Sequence, residues 1–105
     1  MTTPPEVEQT GDVDVVTIRR RLVIQGRLQG VRFRVSCREK AEWHGVSGWV
    51  RNLDGGMIEV VAEGEPEAVD PFVEWCRVGP RRADVTGVDT AEEEPQGESG
   101  FRVLR

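Results

Sequence analysis

The run "VSGWVRNLDGGMIEVVAEG", residues 46 to 64, leaves few folds open. "VSGWVRN" and "MIEVVAEG" are strand-like, and the "LDGG" between them carries Asp-Gly, a strong short-range signal for a hairpin. In the second run Ile58, Val60 and Ala62 alternate with Glu59, Val61 and Glu63, giving one apolar and one mixed face, as half-buried pairing requires. A helical stripe flanks the hairpin on each side. Before it, Phe33, Cys37 and Ala41 recur at four-residue spacing through a stretch free of Pro and Gly, with Gly45 as the stop. After it, between Glu65 and Val78, residues Val69, Phe72, Val73 and Cys76 fall at i, i+3, i+4 and i+7, closed by Gly79 and Pro80.

Strand-like runs frame this centre. "IRRRLVIQG", from Ile18, places Leu22 and Ile24 on one face and Arg21, Val23 and Gln25 on the other. "ADVTGVDT" and "GFRVLR" read as final strands, separated by "AEEEPQGESG", an acidic, turn-rich run expected to be a solvated loop. In the second helix Pro66 suits the first turn, whereas Pro71 lacks an N–H inside it; a kink, or a restart capped by Asp70, is expected there. The order predicts an α+β, ferredoxin-like βαββαβ sandwich: an antiparallel sheet with two helices on one face, plus a short C-terminal strand. That architecture hosts nucleic-acid binders, metal carriers, regulators and enzymes, so it implies no function by itself.

At 105 residues the chain suits one two-layer core. Residues 1–17, with Pro4, Pro5 and scattered acids, read as a flexible acidic tail, and residues 18–105 as the domain. A net charge of -5 argues against generic binding to nucleic acid or anionic membrane. No apolar run approaches the roughly 20 residues that span a bilayer, and the first residues are unlike a signal peptide; a cytoplasmic protein is expected. Cys37, Cys76 and the single His44 show no ligand-like spacing, which argues against a structural zinc site. Each cysteine reads as a small buried hydrophobe and His44 as a helix-end residue.

"GRLQGVRFR", residues 26 to 34, is the anomaly: Arg27, Arg32 and Arg34 crowd the start of a helix in an acidic chain. A helix N-terminus carries positive partial charge, so cations there are unfavourable unless an anion offsets them. Glycines allow successive N–H groups to point into one concavity, where a phosphate or carboxylate fits, and the helix end adds unpaired amides. Neither the Walker pattern nor the dinucleotide fingerprint is present. The residues alone leave two readings open: a phosphate cradle, or a tight turn whose arginines are solvated or paired with surface acids.

Gly26 to Arg34, then "GWVRNLDGG" from Gly48 to Gly56, then Gly79-Pro80, resemble the acylphosphatase family over about residues 18 to 105. The resemblance implies a small ferredoxin-like enzyme hydrolysing the carboxyl-phosphate bond of small acyl phosphates, without cofactor or metal. Carried over by position, it makes Arg34 the phosphate-binding catalytic arginine and Asn52 the residue that positions the attacking water. It makes Gln29, Gly30, Val31, Arg32 and Phe33 the donors of backbone amides to the phosphate. Leu28 and Ile24 are mild departures from the family pattern, and Leu53 replaces a hydroxyl residue found in some members. No role attaches to the Arg32 side chain.

Inorganic phosphate is expected as product and inhibitor, with no nucleic-acid or membrane partner, and the domain is expected to be a monomer. Two rival readings are a non-enzymatic module that senses phosphate or acyl phosphate, and a single-stranded RNA binder of the same architecture. The latter needs stacking aromatics on a basic sheet face, yet the chain has no Tyr. Which acyl phosphate is the substrate is not legible in these motifs.

Overall fold

A computed structural model describes residues 16–105. The acidic tail expected over residues 1–17 therefore lies outside the described residues up to residue 15. The elements run β1 (Ile18–Arg27), α1 (Phe33–His44), β2 (Ser47–Asn52), a 3-10 turn (Asp54–Gly56), β3 (Ile58–Gly64), α2 (Pro66–Val78), β4 (Asp84–Glu93) and β5 (Phe101–Val103). The sheet order is β4-β1-β3-β2-β5. The first four strands in that order are antiparallel, as the alternation predicts. β5 pairs with β2 in parallel, so the sheet is mixed at that edge.

Both helices lie on the face that carries Leu22, Ile24, Val50, Ile58, Val60 and Ala62. They meet it with the two stripes read from the sequence: Phe33, Cys37 and Ala41 from α1, and Val69, Phe72, Val73 and Cys76 from α2, all buried. Fully burying each of the larger aliphatic and aromatic side chains contributes about 1.5 to 3 kcal/mol. Phe72 joins the parts: its ring stands edge-on to Phe101 of β5 at 5.7 Å and stacks on Trp75 at 6.5 Å. α1 stops where expected, with Gly45 N–H donating to the Glu42 carbonyl and Val46 N–H to that of Ala41.

Two expectations need correction. α2 runs as one element through Pro71, and Asp70 does not restart it; that carboxylate is exposed and accepts from Arg20 at 3.4 Å. A chain that starts at Pro66 is already propagating helix by the sixth residue, and packing of Val69, Phe72 and Val73 outweighs the missing bond. The acidic run is also not all loop: Ala91, Glu92 and Glu93 continue β4, opposite Arg21, Arg20 and Arg19 of β1. Opposite charges across a strand pair favour pairing, and the Arg-Arg-Arg of β1 supplies them.

The remaining loop, Glu94 to Gly100, is fastened to the helix-free face of the sheet. Glu63, only 3% exposed, accepts from the backbone N–H of Gln96 at 2.5 Å and of Glu98 at 2.7 Å. Arg19, also buried, pairs with Glu63 at 3.2 Å, Glu93 at 2.8 Å and Glu98 at 2.9 Å. Burial pushes the Glu63 carboxyl up, but the two amides and the Arg19 guanidinium outweigh it, so its pKa lies below the ordinary value. The contribution to stability is therefore complete above that ordinary value and is lost as pH falls through the lowered one. We expect the melting temperature to drop as pH falls below the ordinary carboxylate range, with Glu63→Gln flattening part of the drop. Identical acid profiles for the two proteins would refute this role.

Candidate active site

β1 ends in an irregular pairing with β4 between Gln25 and Gly26, and the chain then turns through residues 28–32 into α1. Leu28 is buried and Val31 packs on the core, so the loop is anchored at two points and lifts the residues between them outward. Gly30 has φ 73°, a left-handed conformation that most side chains avoid. Arg32, with φ 59° and ψ 37°, is left-handed as well, and is the only non-glycine residue with positive φ among the described residues. Such a residue costs about 1 to 3 kcal/mol where the surroundings hold it, and it is a recurrent feature of ligand-binding loops.

Arg32 also stands at the N-cap of α1. No side chain caps the helix and no acid lies in its first turn. The first bond the helix makes backwards is from Ser36 N–H to the Arg32 carbonyl at 3.0 Å, so the amides of Phe33, Arg34 and Val35 have no backbone acceptor among the described residues. A row of free donors thus faces outward at the positive end of a helix. The helix start is fixed by Phe33, whose ring lies 5.7 Å from Trp75. A Cβ at Gly79 would sit 2.7 Å from the same ring, so glycine there lets the α2 end close onto it.

A cavity of about 400 Å³ opens beside this helix end. Gln29, Gly30, Arg32, Phe33 and Arg34 line it, and so does Asn52 from the end of β2. Six of the seven residues singled out by the sequence are brought together; Val31 faces the core and a neighbouring hollow instead. Gln29 ties loop to hairpin by donating from Nε2 to the Gly56 carbonyl at 3.4 Å. Among the described residues no Asp or Glu lines the cavity. Arg34 forms no ion pair among the described residues, whereas Arg19, Arg21 and Arg51 are all paired with glutamates on the helix-free face. The arrangement can hold a compact anion on amides and a guanidinium, next to a neutral amide side chain.

Val103, Leu104 and Arg105 also line the cavity, and the sequence motifs missed them. Their placement follows from the parallel pairing of β5 with β2, which sets Val103 beside Val50, and from Leu104 N–H donating to the Val50 carbonyl at 2.8 Å. The cysteines belong elsewhere. Cys37 and Cys76 are both fully buried, and burial, reinforced by the adjacent Cys76, pushes the Cys37 thiol well above its ordinary value. Protonated and enclosed, it is no nucleophile.

Most of the chain matches known proteins. The acylphosphatase family model matches residues 20–103. An acylphosphatase of Rubrobacter xylanophilus is 54% identical over 88 residues, which cover 83% of this chain and 80% of the relative. The solved acylphosphatase from Coxiella burnetii superposes with a TM-score of 0.80 at 39% identity, covering 84% of this chain and 93% of that one. The crystal structure of acylphosphatase from Bacillus subtilis gives a TM-score of 0.81 at 32% identity, covering 84% and 99%. The match thus runs from β1 to the end of β5, through the loop, Asn52 and both helices, and the chain belongs to the acylphosphatase family: it is an enzyme that hydrolyses small acyl phosphates.

Proposed function

We propose that the enzyme seats the phosphoryl group of its substrate on the backbone amides of Gln29 to Phe33, grips it with Arg34, and uses Asn52 to aim the attacking water. The observation that carries this reading is the convergence, in one cavity with no Asp or Glu among its described lining residues, of an uncapped helix N-terminus with Arg34 and Asn52.

Chemistry accounts for how little equipment is needed. The leaving group is a carboxylate whose conjugate acid has a pKa of about 4 to 5, so the departing oxygen needs no general acid. Phosphoryl transfer passes through a loose transition state with charge spread over the peripheral oxygens, and the protein's task is positioning and charge stabilisation. Fixed amides and a planar guanidinium supply both. Water attacks phosphorus in line; a P–O bond to the water oxygen forms as the bond to the acyl oxygen breaks. The electron pair leaves on the carboxylate, and the water's proton passes to a substrate oxygen or to solvent. Asn52 is no base at neutral pH, but its amide can hold a water in the near-attack position.

The remaining features fit the same reading. The match to residues 20–103 supports residues 18–105 as the functional domain. A cytoplasmic monomer is part of the proposal; among the described residues no helix is long and apolar enough to cross a membrane. The helix-free sheet face is closed to base stacking, because Trp49 lies beneath the guanidiniums of Arg21, at 5.9 Å, and Arg51, at 5.2 Å. Those arginines are paired with Glu59 and Glu93, so the face offers no basic track for RNA.

Purified protein is expected to hydrolyse benzoyl phosphate in the presence of EDTA, with inorganic phosphate as a competitive inhibitor. Tight phosphate binding without turnover would replace this mechanism with a sensing role. Activity abolished by EDTA and restored by a divalent cation would overturn its metal-independent form.

A further inference from the structure

The fold sorts its arginines. Arg19, Arg20, Arg21, Arg51, Arg77 and Arg102 are all paired with carboxylates. Seven others, Arg27, Arg32, Arg34, Arg38, Arg81, Arg82 and Arg105, have no such partner within 4.0 Å among the described residues, and three of these, Arg32, Arg81 and Arg82, line one hollow of about 300 Å³. Gly30 and Arg32 wall both this hollow and the phosphate-loop cavity, so the two adjoin across the crest of a single loop. Among the described residues no Asp or Glu lines either one. Arg81 and Arg82 stand in the turn between α2 and β4, which is held by Ala83 N–H donating to the Pro80 carbonyl at 3.0 Å. Ser36, the fourth residue of α1, lines the same hollow. In a chain of net charge -5, this is a local field of the opposite sign beside the proposed reaction centre.

A phosphate cradle reads only the head group of an acyl phosphate, which the various substrates share, and so discriminates poorly among acyl parts. A neighbouring cationic hollow adds the missing discrimination. We propose that Arg81 and Arg82, with Ser36, form a second anion subsite that selects acyl phosphates whose acyl part carries its own negative group. The inference rests on the seating of the phosphoryl group in the loop argued above. Guanidinium forks suit carboxylate and phosphate alike, so the class is an anionic acyl phosphate, not one particular anion. Both arginines are exposed, so each contact is modest, and the pair should give a preference of about 2- to 30-fold in kcat/KM at low salt.

The test compares benzoyl phosphate with its 3-carboxy and 3-phosphono derivatives, on the full chain and on Arg81→Gln/Arg82→Gln. The unmodified enzyme is expected to prefer both charged substrates, with the larger gain identifying which anion the subsite suits. The double variant should lose that preference while its kcat/KM for benzoyl phosphate stays unchanged, and added salt should mimic the variant. A wild-type enzyme indifferent to the extra charge would overturn the proposal. So would a preference that survives in the double variant, or an equal loss on all three substrates. No hydrolysis of benzoyl phosphate by the wild type would overturn the cradle reading, and this inference with it.

Discussion

Arg34→Ala is expected to lower kcat/KM for benzoyl phosphate by about 10²- to 10³-fold or more, because a preorganised charge donor aimed at the transition state is lost. Stability should survive. Arg34 is partly exposed in the first turn of α1 and forms no ion pair among the described residues, so its removal breaks no packing or pairing that holds the fold. The guanidinium also opposes the dipole of its own helix, a cost of about 0.3 to 1 kcal/mol that alanine relieves. The melting temperature should therefore stay within about 4 °C of wild type or rise slightly. Inhibition by phosphate should weaken with turnover, since one group serves both. Arg34→Lys should recover only part of the loss, because an ammonium is a point charge and cannot present two parallel donors. Near-normal hydrolysis by the alanine variant would remove Arg34 from the mechanism.

How much of this was legible in the sequence depends on the range of the interactions. The helical stripes were readable because they are local: Phe33, Cys37 and Ala41 share a face by the geometry of the helix alone. The half-buried reading of β3 was not borne out, because Glu59, Val61 and Glu63 on its mixed face are buried as well as Ile58, Val60 and Ala62. The acidic run was misread in part for the converse reason. Ala91 to Glu93 are strand only because β1 lies alongside, offering Arg19, Arg20 and Arg21 as cross-strand partners some seventy residues away. Pro71 shows a related override: the stripe of Val69, Phe72 and Val73 was legible, but its burial against the sheet, which outweighs the missing bond, was not.

The candidate site divides along the same line. Its loop and its asparagine sit in two motifs and were found there. Arg105 and Leu104 reach the cavity only through the parallel pairing of β5, which no local pattern announces. Arg81 and Arg82 were likewise silent, being two charges in a turn until the fold set that turn against Gly30 and Arg32. The left-handed backbone at Arg32 could not be read from an arginine at all; only the glycines around it hinted at unusual dihedrals.

Asn52→Ala separates water positioning from anion binding. Asn52 ends β2, opposite Ile58 across the hairpin, and its exposed side chain borders the cavity without belonging to the helix end that would hold phosphate. Removing it deletes no charge and no amide of the loop. The rate constant for turnover should fall by about 10²-fold, the scale of losing alignment for an in-line attack. The inhibition constant for inorganic phosphate should change by no more than about threefold, because the donors that read the anion remain in place. Asn52→Asp should be slower still than a loss of alignment predicts, since a carboxylate facing the phosphoryl oxygens adds repulsion and attracts no better nucleophile. Phosphate binding lost with turnover intact would invert the assignment and make Asn52 part of the anion grip. Both lost together would mean that the hairpin end and the loop form one binding surface, with water aligned by the phosphoryl oxygens themselves.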